Sequence, residues 1–162
     1  VMDGDEFCED CRYPLPDWER QTPRSNLERN IIRDRIRCLS PRSPHIASPA
    51  TPVGEVIRML VDREIGSIII VEDDRILGIF SERDVLWKLN TEVHELRSRP
   101  VSEFMTRHVE TIDLDDKLAL ALHKMDLGGY RHLPVTDEDK LCGIISIRDI
   151  MRYMTETILT VG

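Results

Sequence analysis

Apolar residues recur along the chain in two rhythms, one of three to four residues and one of short unbroken runs, and their alternation predicts the elements. From Asn26 onward Leu27, Ile31, Ile32, Ile36 and Leu39 return at helical spacing with Ser25 or Asn26 placed as an N-cap, which predicts an amphipathic lead helix. Residues 40–52 then carry Pro41, Pro44, Pro49 and Pro52; proline fixes φ and disfavours helix at the residue before it, so this stretch is read as extended or turned. Thr51-Pro52 reads as the next helix start, a cap followed by proline in the first turn, with Val53, Val56, Ile57 and Leu60 on one face. The β-branched run 68–71 predicts a buried strand, the acidic turn Glu72-Asp73-Asp74 follows it, and 76–80 predicts a second strand. Ser81 then caps a short helix through Leu89.

That order occurs twice. A shift of 65 residues lays Ile36 on Val101, Val53 on Leu118, Ile57 on Leu122, Ile68 on Leu133 and Ile70 on Val135 without a gap. It also lays Gly78-Ile79-Phe80-Ser81-Glu82-Arg83-Asp84 on Gly143-Ile144-Ile145-Ser146-Ile147-Arg148-Asp149, with five of the seven positions identical. Residues 36–89 and 101–154 are therefore two copies of one unit, joined by the polar segment 90–100. One short sheet with two helices cannot cover both sheet faces, so the copies are expected to pack together about a pseudo-twofold axis, leaving two related clefts at the seam.

The chemistry sits in the repeated motif. A serine and an aspartate three residues apart at a helix start can hold a ligand diol, because the hydroxyl both donates and accepts and the carboxylate accepts twice, beside helix amides that favour anions. The same spacing is also a capping box, with Ser81 and Ser146 at the N-cap and Asp84 and Asp149 near the third position. Both readings stand at the level of sequence, since duplication copies caps as readily as sites.

Both motif copies resemble the Gly-apolar-apolar-Ser/Thr-x-x-Asp signature of the cystathionine-β-synthase (CBS) domain family. Val101-Ser102-Glu103-Phe104-Met105-Thr106 is similar to that family's lead-in segment, and Tyr130-Arg131-His132-Leu133-Pro134-Val135 to its central strand. The resemblance implies an α+β, sandwich-like fold of two β-α-β-β-α repeats related by a pseudo-twofold axis, the Bateman module. It implies a non-catalytic regulatory protein that binds AMP, ADP, ATP or S-adenosylmethionine, forms a homodimer and modulates a partner protein. Carried over by position, Asp84 and Asp149 hold ribose hydroxyls with Ser81 and Ser146 assisting, and Arg83, Arg148, Arg131 and His132 are phosphate candidates. Ile68, Ile70, Leu133 and Val135 line the adenine slots on the same carry-over. The clefts are unequal, because Arg131-His132 aligns with Gly66-Ser67, and which cleft that cationic pair faces is open.

Composition narrows the alternatives. With 162 residues, 41% of them hydrophobic, the chain can bury a real core. Its formal charge of −8, from 30 acidic against 22 basic residues, speaks against a broad attraction to nucleic acid or anionic lipid. No apolar run reaches a bilayer-spanning length and the first ten residues are acidic, so no membrane segment or secretory signal is expected and the location is read as cytoplasmic. Residues 1–25, with Pro14, Pro16 and Pro23, read as a flexible or partial zinc-ribbon-like tail, 26–89 as lead helix plus first repeat, 90–100 as linker and 101–158 as second repeat. Cys8 and Cys11 have the spacing of one zinc knuckle, but a structural site needs four ligands and Cys38 and Cys142 fall inside the repeats. Zinc is thus not expected in this chain alone, nor is a disulfide framework. No Ser-His-Asp grouping, phosphate-binding glycine loop or metal-binding His pair can be assembled, and Gly128-Gly129 reads as a helix C-cap. The rival readings are a ligand-free dimerisation or interaction module, and the regulatory piece of a larger enzyme or transporter.

Overall fold

The computed structural model describes residues 25–160; Cys8 and Cys11 lie outside them. The chain forms helix α1 (Asn26–Arg33), strand β1 (Ile46–Ala47), helix α2 (Val53–Asp62) and the hairpin β2 (Ser67–Glu72) and β3 (Arg75–Ser81). Helices α3 (Glu82–Asp84) and α4 (Val93–Leu96) follow, and then the second series begins with β4 (Ile112–Asp113) and α5 (Leu118–Gly128). It continues through β5 (His132–Asp137) and β6 (Lys140–Ser146) into α6 (Ile147–Thr160). Two three-stranded sheets result, ordered β1-β2-β3 and β4-β5-β6, each with its first pair parallel and its second antiparallel. Register is duplicated as well: Ile70 faces Gly78 and Val135 faces Gly143, and each hairpin has its irregularity immediately after that pair. The expected α+β architecture of two β-α-β-β-α units is what the chain adopts.

Local chemistry accounts for most element boundaries. Ser25 caps α1 in a reciprocal box with Glu28, satisfying two amides that the first turn leaves without partners. The hairpin turns use Asp73-Asp74 and Glu138-Asp139, all four with positive φ, the type I′ geometry whose twist matches the flanking strands. Gly129 ends α5 in the left-handed conformation, as a C-cap glycine should. Thr51 departs from its expected role. Pro52 itself occupies the N-cap position of α2, and the amides of Val53 and Gly54 donate instead to the carbonyls of Arg99 and Arg97 at 2.8 and 2.9 Å. The polar linker therefore caps α2 with its backbone, and much of it is coiled into short helical turns at 90–92 and 93–96. Proline cannot donate and places no side-chain oxygen over the helix, so backbone from elsewhere takes that place.

The two units exchange their lead-in segments. Ile36, at the head of the first copy, is fully buried among Ile112, Leu118, Leu133, Val135 and Ile150 of the second. Val101, Phe104 and Met105, at the head of the second copy, lie in the core built by Val53, Val56, Leu60, Ile68, Ile70 and Phe80 of the first. Backbone bonds seal each exchange: Ile79 and Thr106 share a reciprocal pair at 2.9 and 2.8 Å, and Ile144 and Arg42 another at 2.9 and 3.2 Å. Each crossing segment bridges to the outer strand of the other unit's sheet, which occupies part of an edge that would otherwise offer unpaired backbone groups. Helix α1, adjacent in sequence to the first copy, packs on α5 and α6 of the second.

The exchange explains the motif glycines. A Cβ on Gly78 would stand 2.6 Å from Met105 Sδ and 2.9 Å from the Thr106 carbonyl, and one on Gly143 would stand 2.7 Å from Pro41 Cβ. Glycine is required there because another backbone passes directly over the strand, not because a phosphate does.

Candidate functional site

Where β3 turns into α3, Ser81 is the N-cap and Asp84 closes the turn. Asp84 is buried, with 7% of its surface exposed, and its Oδ2 accepts from both the amide and the hydroxyl of Ser81 at 2.8 Å. Its Oδ1 accepts from the Thr106 hydroxyl at 3.1 Å and pairs with Lys88 Nζ at 2.6 Å. Lys88 also donates to the Phe104 carbonyl at 2.8 Å, so a cation and a hydroxyl converge on one carboxylate oxygen. The second copy repeats the first half of this arrangement: Asp149 Oδ2 accepts from the Ser146 amide and hydroxyl at 2.7 and 2.8 Å. Its Oδ1 has a different partner, the Arg42 guanidinium at 2.9 Å, because the exchanged segment presents Pro41 and Arg42 there in place of Thr106. Burial alone would raise the Asp149 carboxyl; the two Ser146 hydrogen bonds and the Arg42 charge outweigh it and hold the group below its ordinary value.

The Asp84 motif opens into a cleft of about 720 Å³, within the range of small-molecule sites. Its floor and one wall come from the first unit, through Gly66, Ser81, Glu82, Arg83, Asp84 and Trp87. The facing wall comes from the second unit, through Thr106, His108, Glu110 and residues 128–132. Arg131 and His132 thus face the Asp84 cleft, which settles the side left open by the sequence. Arg83 extends over the Trp87 ring, 5.9 Å from its centroid, and reaches the Gly129 carbonyl at 3.4 Å. His132 starts β5 directly opposite Ser146, and its imidazole lies where a side chain on Gly66 would have to go. Burial lowers its basicity, with Arg131 and Arg148 adding to the effect and Glu82 and Asp149 opposing it, so it is neutral at pH 7.

Of the residues expected in the sites, the structure brings Ser81, Arg83, Asp84, Arg131 and His132 together around one cleft, and places Ser146, Arg148 and Asp149 at the related junction of β6 and α6. Ile68, Ile70, Leu133 and Val135, expected to line the adenine slots, are buried in the two cores and are not among the residues that line the 720 Å³ cleft. The central strands are covered on both faces, which accounts for the unbroken apolar run. Sequence reasoning missed Thr106, Lys88 and Arg42, the groups that hold the free oxygens of the two aspartates. No local signal marks Thr106 and Arg42, since each reaches its aspartate only through the exchange. Among the described residues no cluster of His, Cys, Asp and Glu could hold a metal ion, Cys38 and Cys142 are exposed free thiols, and no helix is long and apolar enough to cross a membrane.

Comparison with known proteins bears on this geometry. The CBS domain family model matches twice, at residues 36–90 and 101–156. An uncharacterized 17.7 kDa protein of Acidianus ambivalens is 30% identical over 114 residues, covering 69% of this chain and 68% of that protein. An uncharacterized 33.4 kDa protein of Thermofilum pendens is 36% identical over 103 residues, or 62% of this chain, but the matched part is only 33% of its length. Among solved structures, the CBS-domain containing protein ATU1752 from Agrobacterium tumefaciens superimposes with a TM-score of 0.69 at 27% identity, over 74% of this chain and 98% of that one. Two more distant structures share the fold. The CBS domain pair of MJ0100, in complex with 5′-methylthioadenosine and S-adenosylmethionine, has a TM-score of 0.64 at 22% identity, covering 74% of this chain and 98% of that one. CBSX2 in complex with AMP has a TM-score of 0.61 at 23% identity, covering 73% and 95%. Two matched repeats on a duplicated, segment-exchanged fold make this chain a member of the CBS domain family, carrying a tandem pair.

Proposed function

We propose that this chain is a regulatory module that binds an adenosine compound, AMP, ADP, ATP or S-adenosylmethionine, between its two repeats and transmits occupancy to a partner protein. The observation that carries the reading is the Asp84 carboxylate: buried, fixed by Ser81, and set in the wall of a cleft large enough for a nucleoside and built from both repeats. A ribose diol presents two hydroxyls that can donate to Oδ1 in place of Thr106 and Lys88, and both displaced groups then become available to the ligand. Because the cleft walls belong to different units, a ligand that bridges them changes how firmly the units are clamped, which is a physical route from binding to signalling. The adenosine ligands carried by the MJ0100 and CBSX2 folds support the ligand class. Arg83, Arg131 and His132 are proposed as ligand-contacting groups in the Asp84 cleft, and Ser146, Arg148 and Asp149 in the related one.

Calorimetric titration of the chain with AMP, ADP, ATP and S-adenosylmethionine tests the proposal. At least one ligand is expected to bind with a defined stoichiometry; silence toward all four overturns it. A homodimer is proposed as the functional unit, since Met151 and Ile158 stand 59% exposed on one face of α6, with Leu159, 75% exposed, beside them.

A further inference from the structure

We infer that the two clefts sort adenosine ligands by charge, the Asp149 cleft taking a nucleoside di- or triphosphate and the Asp84 cleft taking an adenosyl compound without phosphates, such as a thioether or sulfonium. The inference rests on the adenosine-binding reading above and adds which cleft takes which chemistry.

The 65-residue shift maps the lining of the Asp84 cleft onto the positions around Asp149, and the backbone contact beside each motif is duplicated: Glu82 amide to Gly66 carbonyl at 3.2 Å in one, Ile147 amide to Arg131 carbonyl at 3.0 Å in the other. Under that shift Trp87 and Gly128 of the first cleft correspond to Arg152 and Arg63 of the second, while Glu82 and Glu110 correspond to Ile147 and His45. The first cleft has three acids, Glu82, Asp84 and Glu110, against two arginines, Arg83 and Arg131, a formal charge of −1. The equivalent positions of the second, with Arg131 counted only in the cleft it lines, have three arginines, 63, 148 and 152, against the two acids Glu64 and Asp149, a formal charge of +1. Arg42, ion-paired to Asp149 Oδ1 at 2.9 Å, is matched at the first cleft by Lys88, ion-paired to Asp84 Oδ1 at 2.6 Å.

Near Asp84, Lys88 pairs with Asp84, Arg83 reaches the Gly129 carbonyl and Trp87, and Lys124 pairs with Glu110 at 3.3 Å, while the Arg131 guanidinium makes no hydrogen bond or ion pair among the described residues. At the second cleft the Arg148 guanidinium likewise makes none, Arg63 bonds His45 Nδ1 at 2.8 Å, and Arg42 and Arg152 pair with Asp149 at 2.9 and 3.9 Å. Both motifs open helical runs, 82–89 after the first and 14 residues after the second, whose N-terminal amides and dipole favour anions. Trp87, 81% exposed at the first cleft, offers an aromatic face suited to an apolar thioether or a sulfonium cation.

The test titrates ATP, S-adenosylmethionine and inorganic tripolyphosphate into the wild type and into Asp84→Ala, Glu82→Gln, Asp149→Ala and Arg148→Gln. Arg148 and Glu82 are exposed, so their variants keep the test decisive where an aspartate variant fails to fold. Asp149→Ala and Arg148→Gln are each expected to weaken ATP about tenfold or more, the scale of a lost charge-assisted hydrogen bond, and to leave S-adenosylmethionine unchanged. Asp84→Ala and Glu82→Gln are expected to do the reverse, and added salt to weaken ATP while sparing S-adenosylmethionine. ATP binding that follows Asp84, that disappears together with S-adenosylmethionine in one variant, or that is matched by tripolyphosphate and indifferent to Asp149 overturns the sorting. Silence of the wild type toward both adenosine compounds overturns instead the reading on which it rests.

Discussion

Ile36 tests the exchanged architecture most directly. It belongs by sequence to the first repeat, yet its side chain is 0% exposed within the core of the second. Replacing it with alanine removes three buried carbons, at about 0.8 kcal/mol each, for roughly 2.4 kcal/mol of transfer free energy. The residues around it, Ile112, Leu118, Leu133 and Ile150, are themselves fully buried on strands and helices and cannot collapse far into the space. A cavity term at about 24 cal/mol per Å³ therefore adds to the loss, and Ile36→Ala is expected to destabilise the chain by about 3–4 kcal/mol, inside the usual range for isoleucine truncation. Urea denaturation measures the total, and amide hydrogen exchange locates it: protection should fall first in β4, β5, β6 and α5. A cost under about 1 kcal/mol, or protection lost first in β2 and β3, would refute the exchange.

Three further results follow from the geometry. Gly78→Ala places a Cβ against Met105 and the Thr106 carbonyl; the methionine can swing aside but the bridged backbone cannot, so a loss of about 1–3 kcal/mol is expected from the urea midpoint, and a neutral effect would show that the crossing is loose. Gly143→Ala meets Pro41 in the same way and should behave alike. Asp149 is held below its ordinary value of 3.8, so its contribution to stability is complete above that pH and is lost as pH falls through the folded-state value. Asp149→Asn should therefore be less stable than wild type at neutral pH, and the two denaturation midpoints should converge on acidification; a gap constant to the acid end would contradict the Arg42 and Ser146 contacts as its source.

The sequence by itself determined what is local or periodic. The duplication, the hairpins with their acidic turns, the cap at Ser25, the C-cap at Gly129 and the paired Ser-x-x-Asp motifs are all legible because the residues that specify them lie within a few positions of one another. A 65-residue self-match also implies two related clefts without any coordinates. The resemblance carried the fold class and pointed to the motif junctions, while Ile68, Ile70, Leu133 and Val135, which it set in adenine slots, lie buried in the cores, since a continuous apolar run cannot say which of its faces meets a ligand.

Only the tertiary structure decided which residues share a cleft. Arg42 meets Asp149 across 107 positions of sequence, Thr106 meets Asp84 across 22, and Arg131 stands beside the aspartate of the other repeat. These meetings depend on each repeat lending its first segment to its neighbour, a choice made by the burial of Ile36 and Val101 in cores that neither repeat completes alone. The Ser-x-x-Asp pair is the same at both sites, so it cannot distinguish them; the partner that the exchange sets opposite each aspartate, Thr106 in one and Arg42 in the other, does.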